Sequence, residues 1–372
     1  MKVSIERAAL ARAVAQAQSV VERRNTIPIL ANLLIETGED GVSIRATDLD
    51  MEVVDRAPAR VDQPGGTTVP AVMLNEIVRK LPDGALVTLS TAGQTGRLTV
   101  SAGRSTFQLA TLPVEDFPQM ASADYATRFE APAGLLRRLF EKSKFAISTE
   151  ETRYYLNGVY LHVAQGQDGP VLRAVATDGH RLARIDAPLP VGADGMPGVI
   201  VPRKTVNELR KLLDDDEAVI RVSVSDTKIR FETPLIALTS KVIDGTFPDY
   251  ARVIPAANPR RMEVDAREFA AAVDRVATIS SERSRAVKLA LEEDRLLLTV
   301  NAPDSGTAEE ELAVAYGDDR LEIGFNARYL LEIAGQVDRD NAVFLFNSSA
   351  DPTVMREGDD PSALYVVMPM RV

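Results

Sequence analysis

A short segment near the middle of the chain combines residue types that can move protons. Residues 176–182 read ATDGHRL, so Asp178 stands two positions before His180, one of only two histidines in the chain. A histidine oriented by an aspartate can act as a general base toward a nucleophile. The sequence supplies no evident nucleophile, because it contains no cysteine and no Gly-x-Ser-x-Gly segment. Catalysis by Asp178 and His180 is therefore one hypothesis, and a structural turn at a binding surface is another.

Other motifs that carry chemistry are missing from the sequence. It has no Gly-x-x-x-x-Gly-Lys-Ser/Thr and no Gly-x-Gly-x-x-Gly segment, so no nucleotide cofactor is predicted. Asp48 and Asp50 could attract a metal ion, but the glycine and distal glutamate of a calcium loop do not follow them. His162 lies in the alternating segment GVYLHV, where a structural role is expected. The sequence thus predicts neither a cofactor nor a metal site.

The ATDGHRL segment belongs to an internal repeat. Thr177 follows Thr47 of ATDLDMEV by 130 residues, and Phe247 follows Phe117 by the same distance. Helix-like apolar periodicity also recurs, first after a strand-like run and then after a possible helix cap. These segments are 2–21, 128–147 and 261–280, followed in each repeat by 69–81, 201–213 and 324–337. The pattern predicts an α+β protein with three tandem homologous domains, 1–125, 126–257 and 258–372.

Composition and charge limit the class of protein. The chain has 45% hydrophobic and 26% charged residues, and its formal net charge is −11. No apolar run reaches the ~20 residues that span a bilayer, and the N-terminus lacks a signal sequence, so a cytoplasmic protein without membrane contact is expected. A protein that holds DNA by neutralising phosphates normally has a surplus of Lys and Arg. Net charge alone therefore argues against DNA binding by affinity.

Two predicted helices nevertheless carry basic faces. The segments from Pro132 and from Pro202 each place leucines and other apolar residues on one side, as expected for helices that pack on a sheet. Their other sides can be ordinary solvated surface or part of one segregated basic surface. The basic residues are Arg137, Arg138, Lys142 and Lys144 in the first helix, and Arg203, Lys204, Arg210 and Lys211 in the second.

The whole chain resembles the bacterial DNA polymerase III beta subunit family, the replication sliding clamps. The segments that carry the resemblance are IPIL, TDLDMEV, RYYLNG, ATDGHRLA, IVPRK, DGTFPDY and YVVMPMRV, in this order. The resemblance implies a homodimeric ring of six domains, with helices lining the bore and sheets forming the outer wall. Such a ring is held on duplex DNA by topology, so a net negative charge no longer argues against DNA. It also implies a non-enzymatic processivity factor that tethers a replicative polymerase, with ATP used by a separate clamp loader.

The resemblance also assigns residues to three surfaces, residue by residue. A pocket for peptide segments of the polymerase and of other replication and repair proteins is implied at Leu156, Thr177, Gly179, His180, Arg181, Leu182, Pro248, Arg252, Val253, Val366, Val367, Met368, Pro369, Met370 and Arg371, with Pro352 and Met355 as further members from a less similar segment. DNA contacts are implied at Arg24, Arg153, Tyr154 and Tyr155, and on the helices at Arg137, Arg138, Arg203 and Lys204. A dimer interface is implied at Arg104, Phe107, Leu109, Ile279, Glu309 and Glu311.

Two other classes of function stay open at this point. One is a hydrolase that uses Asp178 and His180, in which His180→Ala would abolish turnover. The other is a repeat scaffold that binds proteins but never DNA, and that would not be retained on circular DNA. Core packing, and not DNA contact, is an equal alternative for Tyr155.

Overall fold

The structure is a computed structural model, and it describes residues 1–22, 26–39, 41–91, 96–280, 285–303, 305–338 and 341–371. Each third of the chain follows the order strand, helix, strands, helix, strands, which confirms the predicted three-repeat α+β fold. The first repeat contains helices α1 (Arg7–Gln18) and α2 (Ala71–Lys80) and strands β1 (Lys2–Glu6), β2 (Asn32–Gly38), β3 (Gly41–Thr47), β4 (Met51–Pro58), β5 (Arg60–Gln63), β6 (Gly66–Pro70), β7 (Leu86–Ser90), β8 (Arg97–Ala102) and β9 (Ser105–Ala110).

The second and third repeats show the same alternation. The second contains α3 (Ala133–Glu141) and α4 (Arg203–Leu209) and strands β10 (Thr127–Pro132), β11 (Gly158–Gln165), β12 (Pro170–Thr177), β13 (Arg181–Pro188), β14 (Val199–Pro202), β15 (Val219–Val224), β16 (Lys228–Glu232) and β17 (Ile236–Lys241). The third contains α5 (Ala266–Ala277) and α6 (Ala327–Ala334) and strands β18 (Arg260–Asp265), β19 (Ala286–Glu292), β20 (Arg295–Ala302), β21 (Gly306–Ala313), β22 (Ala315–Tyr316), β23 (Leu321–Asn326), β24 (Asn341–Phe346), β25 (Thr353–Glu357) and β26 (Ala363–Val367).

Helix α5 shows how the sequence specifies these elements. Asp265 Oδ1 caps the helix by accepting hydrogen bonds from the backbone N of Arg267 at 2.9 Å and of Glu268 at 2.8 Å. Capping satisfies donors that the first turn leaves free and contributes about 1 kcal/mol. The buried side chains follow at helical spacing and so form one apolar face: Ala266, Phe269, Ala272, Val273 and Val276.

The chain divides into two compact units whose limits differ from those of the repeats. Unit 1 comprises residues 1–137, 190–197 and 204–242, and unit 2 comprises 138–189, 198–203 and 243–372. Unit 1 contains a five-stranded sheet, β5-β1-β7-β8-β9, and an eight-stranded sheet, β10-β15-β16-β17-β4-β3-β2-β6. Unit 2 contains a nine-stranded sheet, β14-β11-β12-β13-β26-β25-β24-β18-β22, and a four-stranded sheet, β21-β20-β19-β23.

The two large sheets each join strands of successive repeats. In unit 1, residues 51–55 of β4 pair antiparallel with residues 236–240 of β17. In unit 2, residues 181–185 of β13 pair antiparallel with residues 363–367 of β26. We call these two strand pairs the seams. Because a seam is a hydrogen-bonded ladder, the sheet continues across the junction between repeats without an edge.

Candidate functional site

The segment ATDGHRL forms the loop between β12 and β13. Thr177 Oγ1 donates to Arg181 O at 2.7 Å and accepts from Gly179 N at 3.1 Å. Asp178 Oδ1 accepts from the backbone N of His180 at 2.9 Å and of Arg181 at 3.0 Å. Gly179 has a φ of 88°, a conformation that favours glycine. Side chains within the loop thus satisfy its own backbone, so these residue types specify the turn.

The first repeat builds the same loop between β3 and β4. Thr47 Oγ1 donates to Met51 O at 2.8 Å and accepts from Leu49 N at 3.1 Å. Asp48 Oδ1 accepts from the backbone N of Asp50 at 3.0 Å and of Met51 at 2.7 Å. The recurring aspartate therefore acts as a turn residue in both copies, as the repeat suggested.

The geometry does not place His180 as a base oriented by Asp178. One carboxylate oxygen of Asp178 accepts from backbone amides, and the other accepts from Arg181 Nε at 3.1 Å. The His180 imidazole instead stacks on the ring of Tyr329, with centroids 6.2 Å apart and planes at 23°. The hydrolase hypothesis therefore lacks the orienting hydrogen bond on which it depends.

Arg181 anchors the loop to the interior of unit 2. Its residue exposure is 6%, and its guanidinium donates to Phe145 O at 2.7 Å and pairs with Glu332. The same group lies over the ring of Tyr329, 4.5 Å from the centroid. Burial lowers the pKa of Arg181, while the carboxylate of Asp178 acts in the opposite direction. Arg181 thus holds the loop in place and offers little surface to a ligand.

An apolar cluster underlies this part of unit 2. Three of the residues predicted for the peptide pocket, Leu156, Leu182 and Val366, belong to it. Because these side chains are nearly fully buried, they shape the surface from below. The other buried members are Val175, Ile200, Phe247, Val354 and Leu364, and Tyr155, Tyr160 and Tyr250 pack against them.

An open groove of about 440 Å³ lies in unit 2 where the chain passes from the second repeat to the third. We call it the linker groove. Of the predicted pocket residues, Arg252, Val253 and Met368 line it, together with Pro352. Val253 is 50% exposed and Met368 is 39% exposed. An apolar side chain and a methionine that are open to solvent suit the binding of apolar peptide side chains.

Other residues that line the linker groove were not singled out from the sequence. The run IPAANP, residues 254–259, is a linker rich in Pro, Ala and Asn, and such linkers often carry binding surfaces. Met355 is fully buried on the face of β25 opposite to Val354 of the apolar cluster, and it does not line the linker groove. The additional lining residues are Pro255, Ala256, Ala257, Asn258, Asn347 and Asp351.

The C-terminal strand is tied directly to the loop. Met368 N donates to His180 O at 2.8 Å, and Met370 N donates to Gly324 O at 2.8 Å. Val367 is buried, whereas Met370 is 38% exposed. The remaining predicted pocket residues range from buried to open: Thr177 is buried, Pro369 is half-buried, and Gly179, Pro248 and Arg371 are exposed.

The predicted DNA contacts at 153–155 lie in a short helical turn of unit 2. Tyr154 is 53% exposed and meets the ring of Tyr155 edge-on, with centroids 5.8 Å apart. Tyr155 packs against the apolar cluster, so core packing accounts for its position. Arg153 donates to both carboxylate oxygens of Glu150, at 2.9 and 2.7 Å, and to Asp178 O at 2.9 Å. The turn therefore presents one open aromatic ring beside a fixed guanidinium.

The basic residues of α3 are partly engaged by acceptors of their own units. Arg137 forms an ion pair with Asp216, and Arg138 forms one with Asp360 at 3.4 Å. Lys142, which the sequence placed on the open basic face, is only 8% exposed. The expectation of a fully open basic face on this helix is therefore wrong at Lys142, because its ammonium group is drawn into ion pairs inside unit 2.

The basic residues of α4 divide in the same way. Lys204 Nζ donates to Glu22 Oε1 at 3.0 Å and also pairs with Asp48. Arg203 is exposed. Arg24 lies outside the residues that the structure describes.

The predicted interface residues lie on or near two strands at sheet edges. Strand β9 ends the five-stranded sheet, with Phe107 36% exposed and Leu109 buried. Strand β21 ends the four-stranded sheet, where Glu309 is exposed and Glu311 pairs with Arg295 at 2.7 Å. The other two predicted residues are Arg104, exposed before β9, and Ile279, half-buried after α5.

Within the described ranges, no group of three or more His, Cys, Asp or Glu side chains could hold a metal ion. Among the helices of those same ranges, none is long and apolar enough to cross a membrane.

Sequence comparison covers the chain almost from end to end. Residues 1–121, 130–249 and 251–371 match the N-terminal, central and C-terminal domains of the DNA polymerase III beta subunit. The chain belongs to the DNA polymerase III beta subunit family. A beta sliding clamp of Caulobacter vibrioides is 54% identical over 372 residues and that of Escherichia coli K12 is 38% identical over 375, each covered in full, as is this chain.

Solved structures of sliding clamps have the same fold. The clamp of Bartonella birtlesii bound to griselimycin superposes with a TM-score of 0.97 at 48% identity, and the pol III beta of Caulobacter crescentus with 0.95 at 54%. Both comparisons cover 100% of each chain. The resemblance drawn from the sequence is confirmed, and this protein is a sliding clamp of DNA replication that serves polymerase processivity.

Proposed function

We propose that this clamp pairs head to tail with a second copy to form a closed ring around duplex DNA. The observation that carries the proposal is the topology of the seams. Strand β9 occupies the same position in the sheet of the first repeat as β17 in the second repeat and β26 in the third. Likewise, β21 takes in the third repeat the place of β4 and β13. One strand of each kind thus lies at a sheet edge, and pairing β9 of one protomer with β21 of the next repeats the seam.

Side chains on the two edge strands favour this pairing. Phe107 offers an exposed aromatic ring on β9, where Leu109 is buried, and the half-buried Ile279 after α5 adds apolar surface. Strand β21 carries the acidic run 309–311, which Arg104 of the next protomer would meet. An unpaired edge invites association, and closure of a ring removes it.

Inside such a ring we propose weak contacts to DNA. Arg203 is exposed and free to meet phosphates, and Arg24 would add to it. Arg137, Arg138 and Lys204 already have carboxylate partners, so each would release few counterions on meeting DNA. Weak, replaceable contacts let duplex slide through the ring. We assign the exposed Tyr154 and the neighbouring Arg153 to stacking and backbone contact where the strand leaves the ring.

We further propose that the linker groove and the ATDGHRL loop form the pocket for peptide segments of the polymerase and other partners. Val253, Met368 and Met370 supply deformable apolar surface, and the apolar cluster supports it from below. The Met368–His180 hydrogen bond fixes the C-terminal strand beside the loop. Peptides that carry apolar anchors would bind here by filling the groove.

The remaining parts of the proposal concern chemistry and place. The clamp would have no catalytic activity of its own, and a separate clamp loader would use ATP to open the ring. It would act in the cytoplasm, at the replisome. The three clamp domains would span residues 1–125, 126–257 and 258–372.

Retention on DNA of changed topology tests the ring. The clamp is loaded onto nicked circular plasmid with a bacterial clamp loader and ATP, the complex is isolated, and the plasmid is cut once. We expect the protein to slide off the ends of the linear DNA and to stay on a matched uncut plasmid. Binding that survives the cut would show contact affinity and would refute encirclement. A Phe107→Asp variant provides the control. It should prevent β9 of one protomer from pairing with β21 of the next, so the ring would stay open and the protein would not be retained even on the uncut circle.

Truncation tests the pocket separately. Removal of residues 368–372 deletes Met368 and Met370 but leaves the apolar cluster intact. We expect loss of polymerase stimulation with an unchanged dimer and unchanged retention on circular DNA. Arg221→Gln, on strand β15 of unit 1, is the matched control and should stimulate normally. Full stimulation by the truncated clamp would remove these residues from the pocket.

A further inference from the structure

A second groove lies on the eight-stranded sheet of unit 1. It has a volume of about 470 Å³ and is lined by Arg45, Glu52, Arg56 and Arg230 from the sheet. Residues 119–122, from the segment that joins the first repeat to the second, form its other wall. We call it the arginine groove.

The arginine groove is the counterpart in unit 1 of the linker groove in unit 2. Each groove is walled by a segment that joins one repeat to the next. The loop shared by β3–β4 and β12–β13 aligns Arg45 with Val175 and Glu52 with Leu182. Val175 and Leu182 are members of the apolar cluster. Two apolar positions of unit 2 are therefore charged in unit 1.

Strand register extends the correspondence to a third position. Arg230 on β16 is reached from Glu52 on β4 through one cross-strand neighbour on β17. Val354 on β25 is reached from Leu182 on β13 through one cross-strand neighbour on β26 in the same way. Val354 also belongs to the apolar cluster. The same place in the fold is thus apolar in one unit and rich in guanidinium groups in the other.

The charges of the arginine groove do not cancel. Arg45 pairs with Glu52 at 3.2 Å, and Arg230 pairs with Glu232 at 2.7 Å. Arg56, which is exposed, adds a third guanidinium to the lining. Within the described part of the chain, the Nε atoms of Arg45 and Arg230 are buried and have no hydrogen-bond acceptor. A buried donor without an acceptor is unfavourable, so an anion whose oxygen atoms reach these donors would be favoured.

We propose that the arginine groove binds an oxyanion, a phosphate or carboxylate group held by Arg45, Arg56 and Arg230. Guanidinium groups bind such anions through paired, charge-assisted hydrogen bonds. The joining segment is held in position over the sheet, since Lys228 Nζ donates to Ala121 O. The site goes beyond the proposed function, because it neither lies in the linker groove nor requires a ring.

The oxyanion can come from free phosphate compounds or from acidic side chains of a partner protein. Calorimetric titration at low ionic strength, with pyrophosphate in one arm and a blocked tetraglutamate peptide in the other, distinguishes the two sources. The double variant Arg45→Gln/Arg230→Gln should weaken saturable binding at least about tenfold, as expected for loss of charge-assisted hydrogen bonds. Arg221→Gln, on the neighbouring strand β15 and 61% exposed at its side chain, is the matched control and should bind as the wild type does.

Binding of pyrophosphate that depends on the arginines assigns the site to free phosphates. Binding of the peptide alone with the same dependence assigns it to partner carboxylates. No saturable binding in either arm, or binding that the double variant retains, overturns the proposal. If the double variant fails to fold, as judged by circular dichroism, the single variant Arg56→Gln at an exposed position replaces it. Retention of the double variant on circular DNA, which should be unchanged, separates this site from the proposed ring.

Discussion

Asp55 in β4 is a buried carboxylate whose ionisation should couple pH to the stability of unit 1. Its exposure is 0%, and Arg12 Nη1 of helix α1 lies 3.0 Å from its Oδ2. Oδ1 has no hydrogen-bond partner within the described residues. Burial raises the pKa of Asp55 from 3.8 to about 6, although the neighbouring guanidinium of Arg12 opposes the change. We predict the consequence for the variant Asp55→Asn.

The sign and size of the change in stability with pH follow from the linkage between proton binding and folding. A folded-state pKa above the unfolded value means that the folded chain binds this proton more tightly, so stability falls as pH rises between the two values. Because the pKa of Asp55 rises from 3.8 to about 6, ionisation of this group lowers the unfolding free energy of the wild type by about 3 kcal/mol in total. About 2 kcal/mol of this loss falls between about pH 4.5 and about pH 7. Asn cannot ionise. We therefore expect the stability of Asp55→Asn relative to wild type to rise by about 2 kcal/mol over this interval.

The assay is urea unfolding at a series of pH values, with hydrogen exchange of the β4 amides as the local readout. Loss of the ion pair with Arg12 changes the unfolding free energy of the variant by the same amount at each pH. The test is therefore the slope of the stability difference between variant and wild type against pH. Asp50→Asn is the matched control, because the side chain of Asp50 is 80% exposed and stays hydrated in both states. A relative stability of Asp55→Asn that stays flat or falls as pH rises would refute the reasoning.

Three further predictions concern an edge strand, a strand pair and a turn. Phe107→Asp on the β9 edge should convert the proposed dimer to a folded monomer in sedimentation, and an undiminished dimer would place the interface elsewhere. Gly158→Ala should lower the unfolding free energy by about 1–3 kcal/mol, because the added Cβ would lie 2.3 Å from Val201 O; unchanged thermal melting would contradict this. Thr177→Val removes two hydrogen bonds of the loop, including that to Arg181 O, and should cost about 1–2 kcal/mol in urea unfolding, whereas Thr177→Ser should cost less.

The repeat and its turns could be predicted because they depend on local chemistry. The hydrogen bonds of Thr47 and Thr177 stay within five residues, so the same residue types at the same spacing produce the same loop. The helix and strand order was readable for the same reason, since apolar periodicity reflects one element and the face that it buries.

Contacts between distant parts of the chain could not be read in this way. Lys142 belongs to a basic helical face by spacing, yet it is buried against Asp338 and Glu357, about 200 residues further along the chain. Met355 and Val354 are neighbours in a segment that the sequence left undecided. Only the register of β25 determines that Val354 joins the apolar cluster and Met355 faces away from it.

The resemblance supplied the pocket residues, but it did not show their different tasks. His180 and Met368 are joined by a backbone hydrogen bond, Arg181 is an internal anchor, and Val253 lines an open groove. The arginine groove of unit 1 could not be predicted either, because Arg45 and Arg230 are brought to one surface only by the pairing of four neighbouring strands.

The two seams have a consequence for how many repeats such a chain can contain. Each seam pairs a strand of one repeat with a strand of the next repeat inside one continuous sheet. Adding or deleting a whole repeat would therefore leave the same two kinds of edge strand at the ends of the chain. The residues of the edge strands therefore do not determine how many repeats the chain contains. In the proposed ring, the number of repeats that closes the circle would depend on the twist and curvature of the sheet at each seam. A mutation that alters the twist at one seam would therefore change the size and closure of the proposed ring without replacing any residue of the edge strands.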